Sequence, residues 1–276
     1  MKGCALNANA RWLGEANAPP ATRIRIGGLP FDNLDMPQAV ATVAHALAGG
    51  VRGYVVTPNV DHLVLYHESQ PFRTACDDAS LRLADGMPIV WASRLLGRPL
   101  RARVAGSDLF PALCRMAARD GYPVFFLGGA PGAAERTVSR LTARLPGLRV
   151  AGIYAPPEHF EPEGEAADAA VRAVNSVRPA LLFVALGTPK QELWVHRQWE
   201  RLDATAVLCC GAAFDFIAGI QIRAPGWMQR VGLEWLWRLA HDPARLWRRY
   251  LVRDAAFVGI FLKEWRNVRS RASSKR

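Results

Sequence analysis

The stretch Ala180-Leu181-Leu182-Phe183-Val184-Ala185-Leu186-Gly187-Thr188-Pro189-Lys190-Gln191-Glu192 decides the fold. Seven apolar residues run without a polar break, a Gly-Thr-Pro turn follows, and a helix-like segment spans Gln191–Leu202. An apolar run of that length, bounded by turn residues, reads as a strand buried on both faces of a parallel sheet. The pattern recurs on both sides of it. Pro123–Leu127, Leu148–Ile153 and Ala206–Cys210 read as further buried strands, with helices near Ala133–Leu145 and Ala166–Val177. Nearer the N-terminus the rhythm is less regular, with strands at Arg23–Ile26, Gly53–Thr57 and Leu81–Ala84 and helices near Pro37–Ala48 and Asn59–Glu68. The alternation predicts an α/β fold with a Rossmann-like layered sheet.

The chain of 276 residues is long enough for one large domain or two small ones, and half its residues are hydrophobic. Residues 1–20 mix Asn, Arg, Glu and Pro with no apolar core of a signal peptide, and read as a flexible tail. Residues 21–222 read as an α/β catalytic core. Residues 223–276 read as a basic, amphipathic, helical appendage. The five cysteines show no C-x-x-C spacing, and the six histidines show no metal-ligand spacing; both point to a reduced protein without structural zinc.

The charge is uneven. From Arg223 onward there are thirteen Lys/Arg against four Asp/Glu, and five of the nine tryptophans. Asp242-Pro243 reads as a helix start, and Leu246, Trp247, Tyr250, Leu251, Val258, Phe261, Leu262 and Trp265 then recur at helical spacing. Two readings of that stripe stand: a helix packed on the core, or a helix lying on an anionic membrane surface. The longest apolar run there, Ala255 to Leu262, has eight residues, whereas a spanning helix needs about 20. A net charge of +11 invites nucleic acid, but the tail fits no zinc-finger, homeodomain or RNP1 pattern, so nucleic acid is not an expected partner.

The ends of the strands carry the candidate chemistry, because an α/β sheet places its ligand crevice there. Gly128-Gly129-Ala130-Pro131-Gly132 follows a strand and opens a helix. Its amides suit a phosphate, although a tight turn without a ligand reads the same way. It is not G-x-G-x-x-G, and the next strand lacks the acidic residue that holds an NAD ribose, which disfavours a dehydrogenase. Lys190 and Gln191 stand at a helix start and suit a phosphate and a sugar hydroxyl. Thr57-Pro58-Asn59-Val60-Asp61 follows a strand and opens a helix. Asp85, in Asp85-Gly86, is a turn residue or a general base at a strand end. Arg103 is a phosphate ligand or an ordinary surface residue. No D-x-D pair is present, so the common metal-chelating signature of sugar transfer is missing, and no cofactor is expected.

Taken together these segments resemble the WecG/TagA/CpsF glycosyltransferases, glycosyltransferase family twenty-six. The matching runs are Thr57–Asp61, Leu83–Gly86, Arg103–Asp108, Phe126–Gly129, Leu186–Glu192, Gly211–Asp215, Arg223–Pro225 and Gly232–Trp235, continuing to Arg248-Arg249-Tyr250. The resemblance implies an inverting, metal-independent transferase. It would move a sugar from a UDP-sugar to a polyprenyl-diphosphate-linked saccharide, in the cytoplasm, attached peripherally to the inner face of the membrane. It implies Asp85 as general base and Thr57, Asn59, Arg103 and Gln191 as pocket residues. It further implies an appendage that closes over the site and brings arginines to the diphosphate, from among Arg223, Arg230, Arg238, Arg245, Arg248 and Arg249. The alternative is a non-enzymatic nucleotide or nucleic-acid binder with a basic tail.

Overall fold

A computed structural model describes Trp12, residues 23–157 and residues 159–273. Within these, six strands form one parallel sheet: β3 (Gly53–Val56), β4 (Leu81–Arg82), β5 (Val124–Gly128), β6 (Val150–Tyr154), β7 (Leu181–Ala185) and β8 (Ala206–Cys209). Their order is β4-β3-β8-β7-β5-β6. The strand Arg23–Ile26 (β1) forms as expected but stays out of this sheet. It pairs antiparallel with Leu29–Asp32 (β2) in a separate hairpin across Gly27-Gly28. The second strand of the hairpin escaped the sequence reading because Leu29-Pro30-Phe31-Asp32 lacks a clean alternation.

Side chains of each central strand go alternately to two cores, as a strand's period of two requires. Phe126 and Phe183 join Phe110 and Phe214 in an aromatic cluster with centroid separations of 4.7–5.9 Å. Helices α1 (Met36–Ala48), α5 (Gly106–Asp120), α6 (Ala133–Arg144) and α9 (Ala213–Ala218) cover this face. Phe125, Leu127, Leu182 and Val184 turn to the other face, under α7 (Glu165–Asn175) and α8 (Lys190–Gln198). Truncating one of these buried phenylalanines costs about 3–5 kcal/mol. A third cluster joins the hairpin to α2 (Val60–Glu68), α3 (Gln70–Asp77) and α4 (Met87–Leu95). Of residues 1–20 only Trp12 is described; its indole is buried and donates to the Val51 carbonyl at 3.0 Å.

Beyond Arg223 the chain is helical, but not as one helix. It forms α10 (Gly226–Arg230), α11 (Glu234–His241), α12 (Pro243–Trp247), a π-helical turn at Arg248–Arg253, and α13 (Ala256–Ser273). Asp242 precedes α12 without a side-chain capping bond. The apolar stripe divides. Phe257, Ile260, Phe261, Trp265 and Val268 pack on the hairpin cluster, while Leu251, Val252, Val258 and Leu262 stay exposed. Glu264 fixes α13 in place by accepting from the Gly27 amide at 2.6 Å. Among the described residues no helix is long and apolar enough to cross a membrane.

Candidate active site

Four adjacent strands, β4, β3, β8 and β7, end under one cavity of about 410 Å³. Thr57 and Asn59 reach it from the end of β3, Asp85 from β4, Gly187 and Thr188 from β7, and Cys210–Ala213 from β8. The opposite wall comes from the C-terminal helices: Gln229, Glu234, Trp235, Arg238, Arg249, Tyr250 and Phe257. The cavity thus lies between the sheet edge and the basic tail.

The Asp85 carboxylate sits half-buried at the base of this cavity. Loss of water, then the Glu234 carboxylate, raise its pKa; Arg103 and His62 pull it down, and the balance leaves it at about 6. Burial disfavours the ionised form, while two nearby cations limit the effect. A carboxylate of this kind is mostly ionised near neutral pH yet still basic enough to accept a proton.

Arg103 is locked by three partners. It donates to Asp108 at 2.8 Å, Glu234 at 3.2 Å and Gln229 at 3.3 Å. Two of these come from the tail and one from α5, so Arg103 ties the core to its cover. Asp108 also accepts from Arg223 at 2.6 Å. Gly106, two residues earlier, has no room for a side chain: a Cβ there would stand 2.8 Å from the Thr57 hydroxyl.

Under the sheet edge lies a polar network around His62. Asn59 caps α2 by accepting from the His62 amide, and its Oδ1 faces His62 Nδ1 at 2.9 Å. His62 Nε2 faces Glu192 Oε1 and Thr188 Oγ1, each at 3.2 Å. Glu192 accepts from Gln191 at 2.6 Å, and Gln191 in turn accepts from the Gly211 amide at 3.1 Å. Asn59 and Gln191 therefore enter the cavity with rotamers fixed from behind. Sequence reading assigned no role in the site to His62 or to Glu192. Glu192 is fully buried, and the clue available was a charged residue in the first turn of the helix that follows a strand buried on both faces.

The tail's arginines divide by position. Arg238 and Arg249 line the cavity, and Arg223 stands behind it; Arg223 and Arg238 both lie over the Phe216 ring, at 6.0 and 5.8 Å. Arg223 Nε and Nη2, Arg238 Nε, Arg249 Nε and Arg253 Nε are buried with no hydrogen-bond partner among the described residues. Buried guanidinium nitrogens in that state are costly unless an anion meets them. Asp61, in the first turn of α2, is buried and pairs with Arg249 at 2.8 Å and with Arg253.

Several sequence candidates do not reach the cavity. Lys190 points away from it, donating to the Phe160 carbonyl at 2.7 Å and to Glu161 at 3.1 Å. Arg230 and Arg248 are exposed, Arg248 lying over Trp247 at 5.3 Å, and neither lines it. The side chain of Arg245 lies outside the described residues. Gly128 ends β5 and Gly129 follows it, one strand beyond the four that border the cavity. Their turn is already satisfied: the Gly129 amide donates to the Ala185 carbonyl at 2.8 Å and the Ala130 amide to Asp215 at 3.4 Å. A Cβ on Gly128 would stand 2.6 Å from that same carbonyl, so packing of β5 against β7 selects the glycine.

Comparison with known proteins fits this geometry. The chain is 33% identical over 198 residues to an N-acetylglucosaminyldiphosphoundecaprenol N-acetyl-beta-D-mannosaminyltransferase of Bacillus spizizenii, covering 72% of this chain and 74% of that one. Proteins of the same name from Bacillus subtilis and Staphylococcus aureus are each 27% identical, covering 82% of this chain and 86% or 87% of theirs. The sequence model of the glycosyl transferase WecG/TagA/CpsF family matches residues 24–271, which takes in the sheet, the cavity and the helices that cover it. This protein belongs to the glycosyl transferase WecG/TagA/CpsF family.

Proposed function

We propose that the cavity carries out inverting, metal-independent transfer of a sugar from a UDP-sugar to a saccharide held on a polyprenyl diphosphate. The observation that carries this reading is a pair of buried guanidinium nitrogens, Arg238 Nε and Arg249 Nε, with no hydrogen-bond partner among the described residues, on side chains that line the same cavity as Asp85. Asp85 takes the proton from an acceptor hydroxyl. The oxygen forms its bond to the anomeric carbon as the bond to the UDP oxygen breaks, on the opposite face of the sugar. The departing diphosphate gains negative charge, and the guanidinium groups meet it in place of a metal. Thr57, Asn59, Arg103 and Gln191 hold the sugar and the donor phosphates, with Asn59 and Gln191 set by His62 and Glu192. The names of the relatives make N-acetylmannosamine the first donor sugar to try, and N-acetylglucosamine on a diphosphate lipid the first acceptor.

In this reading residues 21–222 are the catalytic core, and residues 223–276 both cover the site and bring it to the inner membrane face. The exposed residues Leu251, Val252, Val258 and Leu262, with Arg248, Lys263 and Arg266 beside them, suit an anionic, partly apolar surface. The deciding experiment incubates the protein with a panel of UDP-sugars and an N-acetylglucosaminyl-diphospho-lipid, with and without EDTA. Transfer that withstands EDTA, with an inverted anomeric centre in the product, is expected. Failure with every UDP-sugar, or activity lost in EDTA and restored by magnesium, overturns the proposal.

A further inference from the structure

Helix α4 begins beside Asp85, and its first residues, Met87 and Pro88, line the cavity. It then runs outward for its nine residues, roughly 13 Å at the rise of an α-helix. Its inner face is buried through Ile89, Val90 and Ala92. Its outer face is not covered. Trp91 is 41% exposed and Leu95 65%, with Arg94 between them and Arg98 one turn on, also exposed. Spacing of three and four residues puts Trp91, Arg94 and Leu95 on one stripe, and Arg98 follows just beyond the helix end. Packed against α4 is β1, whose alternation sends Ile24 and Ile26 inward and Arg23 and Arg25 outward. Arg23, Arg25 and Arg98 together border a surface groove of about 530 Å³. Arg23 pairs with Asp32 at 3.2 Å and Arg98 with Glu264 at 3.5 Å, while Met87–Arg101, which carries Arg94, contains no acidic residue.

We infer that this face, formed by the core rather than the tail, is a second contact with an anionic phospholipid bilayer. Three observations favour that occupant. The apolar residues are few and ringed by arginines, which suits an interface of headgroups and acyl chains better than a dry protein contact. The groove gathers guanidinium groups that match phosphate headgroups in charge. The stripe is also continuous with the cavity: Trp91 stands against Gly232 at the tail's cover, and Arg98 pairs with Glu264 of α13 at 3.5 Å. A lipid acceptor leaving the cavity past Met87 and Pro88 would meet this face. The inference rests on the lipid-linked acceptor of the proposed function.

The test is the full-length variant Arg94→Glu/Leu95→Glu, together with the milder Arg94→Gln/Leu95→Ser, neither of which touches the cavity. Both are compared with the natural chain by co-sedimentation with phosphatidylglycerol vesicles and with phosphatidylcholine vesicles. Partition onto phosphatidylglycerol should fall at least roughly tenfold in the first variant and several-fold in the second, since each basic residue near an anionic surface contributes a factor of about five. Melting temperature and turnover on a short-chain, water-soluble acceptor should stay unchanged in the milder variant. Unchanged partition in both variants overturns the inference. So does loss of duplex-DNA binding or of self-association in place of vesicle binding, since the face would then serve another macromolecule. If the natural chain binds vesicles through this face yet transfers no sugar to the soluble acceptor, the functional reading fails and the surface stands.

Discussion

Asp61 and Arg249 meet at 2.8 Å, one in the first turn of a core helix and the other in a π-helical turn of the tail. The carboxylate is buried, and Arg253 pairs with it as well. π-Helical turns are uncommon and gather at functional sites. Here the wider turn lets Arg249, Tyr250 and Leu251 reach the cavity while Arg253 still reaches Asp61.

Replacing Asp61 should therefore loosen the cover without unfolding the sheet. Asp61→Ala leaves two guanidinium groups without their carboxylate, and solvent reaches both of them in part, which moderates the loss to about 1–2 kcal/mol. Limited proteolysis should cut the variant faster after Arg223, and KM for the acceptor should rise. Cleavage at the natural rate would mean that the pair does not hold the tail.

Turnover should follow the ionisation of Asp85. With its pKa raised to about 6, activity should fall about tenfold for each unit of pH below that value. Asp254, also lining the cavity, is raised to about 6 by burial first and by the neighbouring Asp61 second. Asp254→Asn should leave the acid limb where it is. A limb that moves with Asp254→Asn would assign it to the wrong carboxylate.

The same shift carries a stability consequence. A carboxyl group whose folded pKa lies above its ordinary 3.8 stabilises the fold fully only below that value, and the contribution is lost as pH rises through about 6. At pH 8 the ionised Asp85 is a burden on the fold. Asp85→Asn should then melt no lower than the natural protein, with the difference shrinking toward pH 4, while turnover drops by roughly 10² or more. A lower melting temperature at pH 8 would point to a structural role instead.

The arginines should separate cleanly by position. Arg238→Ala and Arg249→Ala, which remove side chains lining the cavity, should each lower kcat by roughly 10²–10³, the usual loss when one donor to a developing charge is removed. Lys190→Ala, Arg230→Ala and Arg248→Ala should change kcat on a soluble acceptor by less than about threefold, since they lie off the cavity. A large loss at Lys190 would bring the turn after β7 back into phosphate binding.

Gly128→Ala should behave as a folding defect. The residue has φ +95° and faces the Ala185 carbonyl, so a methyl group there is strained twice over. The expected cost is at least about 2 kcal/mol, read as a lower melting temperature with UDP affinity per folded molecule unchanged. Selective loss of UDP affinity would instead support an anion site at this turn.

Much of this molecule was legible in the residue order. Strands buried on both faces write themselves as unbroken apolar runs, so β5, β7 and β8 and the helices between them could be read directly; β6 was read as buried too, but it is the edge strand of the sheet and only half-buried, because among the described residues no strand covers its outer side. The places of Asp85, Thr57 and Asn59 just past strand ends were legible too, because a parallel sheet presents its strand ends to one side. The strand order was not legible, and it decided which of those ends share a site. With β5 lying beyond β7, the Gly128-Gly129 turn falls outside the cavity although it resembles a phosphate loop. Side-chain direction at a helix start was not legible either. Lys190 and Gln191 are neighbours, and only the packing of α8 sends one to Glu161 and the other to the cavity. The tail's charge and helical period were written in the sequence, but its partners were not. Asp61, Asp108 and Glu192 are ordinary acids in a linear chain, and they became anchors because burial makes a carboxylate seek whatever cation or donor the fold brings within reach.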